Sequence, residues 1–322
     1  MKRRTFLLGA YLIAATSAPA LAQNYPDRPV SIVVPFAVGG PTDTSARIVA
    51  AALGAQTGAT FIVENVPGAG ATIGATKVAQ AKPDGYTLLW GSGSSLAMTP
   101  HLYSNLKYDS VKSFTPVGSV VAQPFVLVVP QTSGIKTLPD LVARAKASPG
   151  KLNFSSAGQG SSTHLVAELF KNTAGIFAVH VPYKGGAPSM NALLTGDVDF
   201  LFDTPTTTVP MVRAGRLVAL AVTSKTRWPD LPDVATLAEL GYKDFDATTW
   251  FGLVAPAGTP SDRIAYLNKH LNAVIALPEV SSALKQAGFV VEPSTPAAFG
   301  QRIAAETDRW GAIIHKAKIK LD

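Results

Sequence analysis

The chain has 322 residues, of which 47% are hydrophobic and only 15% charged, a balance too apolar for a disordered protein and a length that fits about two domains. It contains no cysteine, which excludes a disulfide framework, a thiolate metal centre and a thiol-linked lipid anchor. The formal charge is +7, but the remaining Lys and Arg are scattered once the basic leader is set aside, so no nucleic-acid partner is expected.

The leader reads MKRRTFLLGAYLIAATSAPALAQ. Lys2, Arg3 and Arg4 form a basic start, Phe6 to Ala15 an apolar stretch, and Ala20-Leu21-Ala22 a small-residue cleavage signal, so residues 1–22 are expected to be an export peptide and the mature chain to begin at Gln23. The apolar stretch is short for a membrane span. The adjacent arginines fit either a general secretory or a twin-arginine signal.

Beyond the leader, apolar strand-like runs alternate with Ala-rich helical stretches. Val30 to Phe36 predicts a strand, about Thr44 to Gln56 a helix, Phe61 to Glu64 a strand, about Thr72 to Ala81 a helix and Tyr86 to Trp90 a strand. Such alternation, with Gly and Pro at the joints, predicts βαβ units in a largely parallel sheet. A second set starts near Phe125: FVLVVP, a helix from about Leu138 to Ala147, KLNFSS, a helix from about Thr163 to Asn172, AVHVPY, and further apolar runs at Val198 to Phe202 and Leu217 to Val222. Pro116 to Pro130 and Ala247 to Pro256 read as the two crossings between the sets. The C-terminal helices, about Ser261 to Ile275, Val280 to Gln286 and Pro296 to Lys316, then belong to the first set. The expected fold is α/β with two domains, 23–124 plus 250–322 and 125–249, and a ligand cleft between them.

Two strand-to-helix junctions stand out. In VVPFAVGGPTD, Val33 to Asp43, an apolar run meets Gly39, Gly40 and Pro41, with Thr42 or Asp43 placed to cap the following helix. In SSAGQGSSTHL, Ser155 to Leu165, Gly158 and Gly160 allow close backbone approach, while Ser161, Ser162 and Thr163 are cap candidates for the helix that carries His164 and Glu168. Helix starts at the carboxyl edge of a sheet present N–H groups and a positive dipole end, the place where open α/β sheets bind anions. Ser92, in the strand end WGSGS, is a third donor-rich position. Asp203, after the apolar run DVDFLF, reads as a helix cap or as an acceptor for a ligand amine, capping being the simpler reading.

Other chemistries fit less well. Asn65 to Ala75 reads NVPGAGATIGA, but Gly68, Gly70 and Gly74 space as G-x-G-x-x-x-G with no acidic residue at the required distance, so no dinucleotide is expected. The five histidines are dispersed, and no metal or other cofactor is expected. An exported α/β hydrolase using Ser161 or Ser162 with His164 is the alternative, against which stands the absence of a G-x-S-x-G elbow.

Taken in order, YPDRPVSIVVPFAVGGPTD, NVPGAGATIGA, KPDGYTLLWGS, FSSAGQGSSTHL, VPYKGGAP, LNKHLNAVI and AGFVVEP resemble the Bug family, the periplasmic solute receptors of tripartite tricarboxylate transporters, also called the TctC family. The resemblance spans essentially the whole mature chain. It implies a type II-like periplasmic binding protein that closes on a small carboxylate such as a dicarboxylate, an acidic amino acid or an aromatic acid, gripped by one loop from each domain. It implies as ligand-binding positions Phe36, Val38, Gly39, Gly40, Thr42, Asp43, Ser92, Gly158, Gly160, Ser161, Ser162, Thr163 and His164, with Tyr183, Gly185 and Asp203 as further candidates. It further implies a monomer that delivers its ligand to the membrane subunits of a tripartite transporter, or to a sensor kinase.

Overall fold

The structure, a computed structural model, describes residues 25–103, 105–243 and 245–316; the leader and its cleavage site lie outside the described residues. In chain order the elements are β1 (Val30–Val34), α1 (Pro41–Thr57), β2 (Phe61–Asn65), α2 (Thr72–Ala79), β3 (Thr87–Ser92), β4 (Phe114–Pro124), β5 (Val126–Pro130), α3 (Leu138–Ala147), β6 (Asn153–Ser156) and α4 (Ser162–Ala174). They continue with β7 (Val179–Pro182), α5 (Gly186–Thr195), β8 (Phe200–Asp203), α6 (Pro205–Arg213), β9 (Leu217–Val222), β10 (Thr248–Pro256), α7 (Ser261–Ala276), α8 (Pro278–Gln286), β11 (Val290–Val291) and α9 (Pro296–Lys316).

Two sheets result. The first has strand order β11-β4-β10-β3-β1-β2 and the second β7-β6-β8-β5-β9. The βαβ units are parallel as predicted: β1 lies between β2 and β3 with Ile32 opposite Val63 and Leu88, and β6 lies between β7 and β8. The strands around the crossings are not. β10 runs antiparallel to both β3 and β4, and β5 runs antiparallel to both β8 and β9. The reason is topological: a parallel neighbour needs a helical crossover, whereas here the chain passes from one sheet into the other with only Phe125 between β4 and β5. The sheets are therefore mixed, not largely parallel.

Three local predictions change. β1 stops at Val34, because Pro35 has no N–H for the ladder. Helices α5 and α6 were not evident in a stretch rich in Gly, Pro and Thr, residues that are poor helix formers; each starts beside a residue that suits a helix entry, Gly185 before α5 and Pro205 at the first position of α6. The core explains why these short helices hold. They cover the second sheet with Met190, Leu193 and Val209 against Val126, Val128 and Leu201.

A larger apolar cluster runs through both sheets, from Val33 and Leu89 through Phe125, Ala247 and Trp250 to Phe154, Phe200 and Trp310. The C-terminal helices α7 and α9 pack on β4, and α7 and α8 on α1. Consequently the carboxyl ends of β1 and β3 in one lobe face those of β6 and β8 in the other, with the crossing strands as a shared floor.

Candidate functional site

A cavity of about 30 Å³ lies between the facing edges, walled by Phe36, Gly40, Pro41, Thr42, Ser92 and Ser94 from the first lobe and by Ala157, Ser161, Ser162, Thr163, Gly186, Asp203 and Thr204 from the second. Thr249 and Phe251 of β10 complete it. Four helices begin there: α1 after Gly40, α4 after Ser161, α5 after Gly185 and α6 after Thr204. The first N–H groups of a helix have no partner within it, and the dipole makes that end positive. Among the described residues no Lys or Arg lines the cavity, and Asp203 is its one ionisable wall group. Its positive character comes from backbone.

The structure brings Phe36, Gly40, Thr42, Ser92, Ser161, Ser162, Thr163 and Asp203 together on the cavity wall. The other predicted positions stand apart. Val38 points away and is 60% exposed. Asp43 does not cap α1, because Pro41 occupies the first helical position and makes Gly40 the cap residue. Asp43 instead accepts from Gly39 N–H at 3.0 Å, Arg47 Nε at 2.9 Å and Asn65 Nδ2 at 2.9 Å, tying the loop to β2. Burial works against its ionised form, but these bonds hold the carboxyl below the usual range. Gly158 and Tyr183 line a neighbouring recess of about 430 Å³ that shares Phe36 and Ala157 with the cavity. Gly185 sits at φ 134° where a Cβ would stand 3.0 Å from that of Ala37.

The reading of Asp203 as a helix cap also fails. Thr204 is the cap residue of α6, and Asp203 Oδ1 accepts from Thr204 N–H at 2.8 Å while Oδ2 has no hydrogen-bond partner. Burial raises its carboxyl to about 6 against that bond and the nearby hydroxyls of Thr207 and Thr204, which favour the ionised form.

His164 lies behind the wall, not in it. Its Nδ1 accepts from Gly160 N–H at 3.2 Å, and its ring stacks on His180 with centroids 3.8 Å apart. Neither Ser161 nor Ser162 hydroxyl meets a ring nitrogen; Ser161 Oγ accepts from the backbone N–H of His164. Among the described residues the one Ser hydroxyl bonded to a His ring is that of Ser156, whose Oγ lies 2.6 Å from His180 Nε2 in a part-buried contact and also accepts from Gly158 N–H. The pair is a brace for the 157–161 loop.

Both rings are held neutral, His164 down to about 3 by burial, His180 and Lys171, and His180 down to about 4 by burial and Lys171. An unfolded histidine titrates near 6.5. Below that pH the unfolded chain takes up protons that the fold refuses, so each ring's contribution is complete above 6.5 and is lost at about 1.4 kcal/mol per pH unit as pH falls. Asp203, raised in the fold, acts oppositely below about pH 6 and cancels one ring's share there. We expect the urea midpoint to drop between pH 7 and pH 5, and His164→Gln to flatten that dependence. Equal midpoints for the parent at the two pH values would refute the assignment.

Gly186 belongs to the candidate stretch VPYKGGAP, whereas sequence reading did not assign Pro41, Ser94, Ala157, Thr204, Thr249 and Phe251 to the site. Pro41, Ser94 and Ala157 lie inside the quoted stretches VVPFAVGGPTD, WGSGS and SSAGQGSSTHL and carried a usable signal; Thr249 and Phe251 sit in a crossing strand that shows nothing but apolar pattern. The lobes meet directly around the cavity. Ser162 N–H donates to Ser94 Oγ at 2.7 Å, Thr206 Oγ1 to Gln123 Oε1 at 2.9 Å and Tyr103 OH to Gln159 O at 3.3 Å. This is a closed arrangement.

Comparison with known proteins agrees with this geometry. The family described as the tripartite tricarboxylate transporter family receptor, TctC, matches residues 45–319. Protein BugT of Bordetella pertussis is 36% identical over 323 residues, covering 100% of this chain and 99% of its own. The solved periplasmic binding protein BugD superposes with a TM-score of 0.89 at 38% identity, over 92% of this chain and 100% of its own. An R. palustris protein with adipate gives 0.89 at 33% identity over 92% and 100%, and MatC from Rhodopseudomonas palustris with bound malate gives 0.87 at 33% over 90% and 100%.

Proposed function

The chain belongs to the tripartite tricarboxylate transporter receptor family, and from that membership we propose that its cleft receives a small carboxylate, gripped by closure of two lobes. It is a solute receptor, not an enzyme. The observation that carries the reading is the convergence of four helix starts on one cavity without a cationic side chain. Such a site suits a compact anion, and its relatives' complexes with adipate and malate are of that class.

Magnitudes support it. A hydrogen bond to a charged group contributes about 1.5–3 kcal/mol, and a partly buried helix start up to about 2. Four bonds and two dipole ends reach roughly 10 kcal/mol gross, against about 8 net for micromolar affinity. Closure costs consume the difference, so the remainder of the ligand must contribute as well.

In this reading residues 23–124 with 250–322 form one lobe and 125–249 the other, hinged at the crossing strands. The ligand-facing donors are N–H groups near Gly40 and Gly186, with the hydroxyls of Thr42 and Ser161. The protein works in the periplasm after removal of residues 1–22, as a monomer, and hands its ligand to the membrane subunits of a tripartite transporter.

The test is calorimetry with adipate and malate, paired with small-angle scattering. Binding accompanied by a fall in radius of gyration is the expected result. If neither acid binds and neither compacts the protein, the reading is wrong.

A further inference from the structure

Asp203 is an acid in a site built for acids. It is 1% exposed, ends β8 on the cavity wall, and leaves Oδ2 without a partner while Oδ1 accepts from Thr204 N–H. A Cβ built on Gly186 would stand 3.5 Å from Oδ2, so this oxygen faces the start of α5 where the cavity lies. No charged side chain lines the cavity beside it among the described residues; the Thr204 N–H and the nearby hydroxyls of Thr207 and Thr204 favour its ionised form, and burial outweighs them. β5 presents Val126 opposite it, β6 ends in Ser155 and Ser156, and α6 begins with Thr204 and Pro205. The first lobe faces it with Gly40, Pro41, Thr42, Ser92 and Ser94, and β10 with Thr249 and Phe251. Of the charged groups on the elements around it, Asp43 pairs with Arg47, Lys171 pairs with Glu168 behind the neutral His164 and His180, and Lys184, just before α5, is exposed and lines the neighbouring recess, not this cavity.

An ionised carboxylate and a bound dianion in one closed cavity repel each other with no cation to offset them, whereas a single proton removes the repulsion and turns an acceptor into a donor. We propose that Asp203 admits an ionised dicarboxylate together with one proton taken from solvent, and then donates, as a neutral carboxylic acid, to a carboxylate oxygen of the ligand. This rests on the receptor reading above and adds a proton to it. The buried carboxyl already sits raised to about 6 before any second anion enters. Above that pH the protein must protonate Asp203 to bind, so affinity falls as pH rises.

The experiment is calorimetric titration of adipate and of malate, both fully ionised in this range, at pH 6.5, 7.5 and 8.5 in phosphate and in Tris, whose different ionisation enthalpies reveal protons exchanged. The expected result is uptake of about one proton per ligand and about tenfold weaker binding per pH unit. Asp203→Asn, confirmed folded by circular dichroism, carries a permanent amide donor. It should lose both the uptake and the pH dependence and bind more tightly than the parent at pH 8.5. Binding by the parent without proton uptake overturns the inference and leaves the receptor reading intact. So does loss of binding by Asp203→Asn at every pH, which would make the ionised carboxylate an acceptor for a donor on the ligand. Failure of the parent to bind either acid overturns both.

Discussion

Gly70→Ala is expected to weaken binding of the best carboxylate by at least about 100-fold, or about 2.7 kcal/mol, while leaving a folded protein. A Cβ at Gly70 would fall 2.3 Å from the carbonyl oxygen of Gln159, across the cleft. Backbone cannot yield as a flexible side chain can, so the lobes must stop short of the closed arrangement. Ligand contacts that need both lobes are then available only in a strained minority of molecules, and apparent affinity falls by that fraction. Gly70 also has φ 60°, where alanine carries a strain of about 1 kcal/mol in any setting. Gly58→Ala separates the two effects: Gly58 has φ 71° with nothing within 4 Å of its Cβ position. It should lower thermal stability by a similar amount and leave affinity as in the parent. Scattering should show ligand-induced compaction in the parent and in Gly58→Ala but not in Gly70→Ala. If Gly70→Ala compacts and binds normally, closure through this contact is not required.

Gly40→Val should cost at least about 2 kcal/mol of binding, the scale of one charged hydrogen bond. Gly40 has φ −84° and ψ 174°, an extended conformation that valine adopts without strain, so the backbone supplies no competing explanation. The Cβ itself would be in ordinary contact, 3.7 Å from Gly186 N. The two methyl groups beyond it have only the cavity of about 30 Å³ to enter, the space through which the ligand meets the starts of α1 and α5. Lys225→Ala serves as control, since Lys225 is largely exposed and among the described residues pairs with Asp246 at 3.5 Å. A surface pair of that kind contributes little. Calorimetry showing Gly40→Val, with an unchanged urea midpoint, as tight as the parent would remove this wall from the site.

The junctions at Gly39-Gly40-Pro41 and Gly158 to Thr163 were legible because strand ends, glycine turns and helix starts are written in neighbouring residues. Their place at a sheet's carboxyl edge follows from βαβ handedness and connectivity, so half of the cavity wall, from Phe36 to Thr163, could be named without coordinates. Composition likewise determined that the fold rests on its core alone, there being no cysteine to staple it. What local pattern could not carry is proximity across the cleft. Ser94 meeting Ser162, Gly70 meeting Gln159 and Phe251 flooring the cavity depend on how two sheets close, and no periodicity in one segment encodes the distance to another. The same holds for charge and protonation. His164 was placed among the ligand-binding positions from its motif, but its neutrality comes from burial and from His180 stacked on it, sixteen positions later on strand β7. Asp203 looked like a cap from its neighbours Thr204 and Pro205. Only the packed structure turns it into an unpaired acid, because desolvation is a property of the surroundings that close over a side chain and not of the residues beside it in the chain.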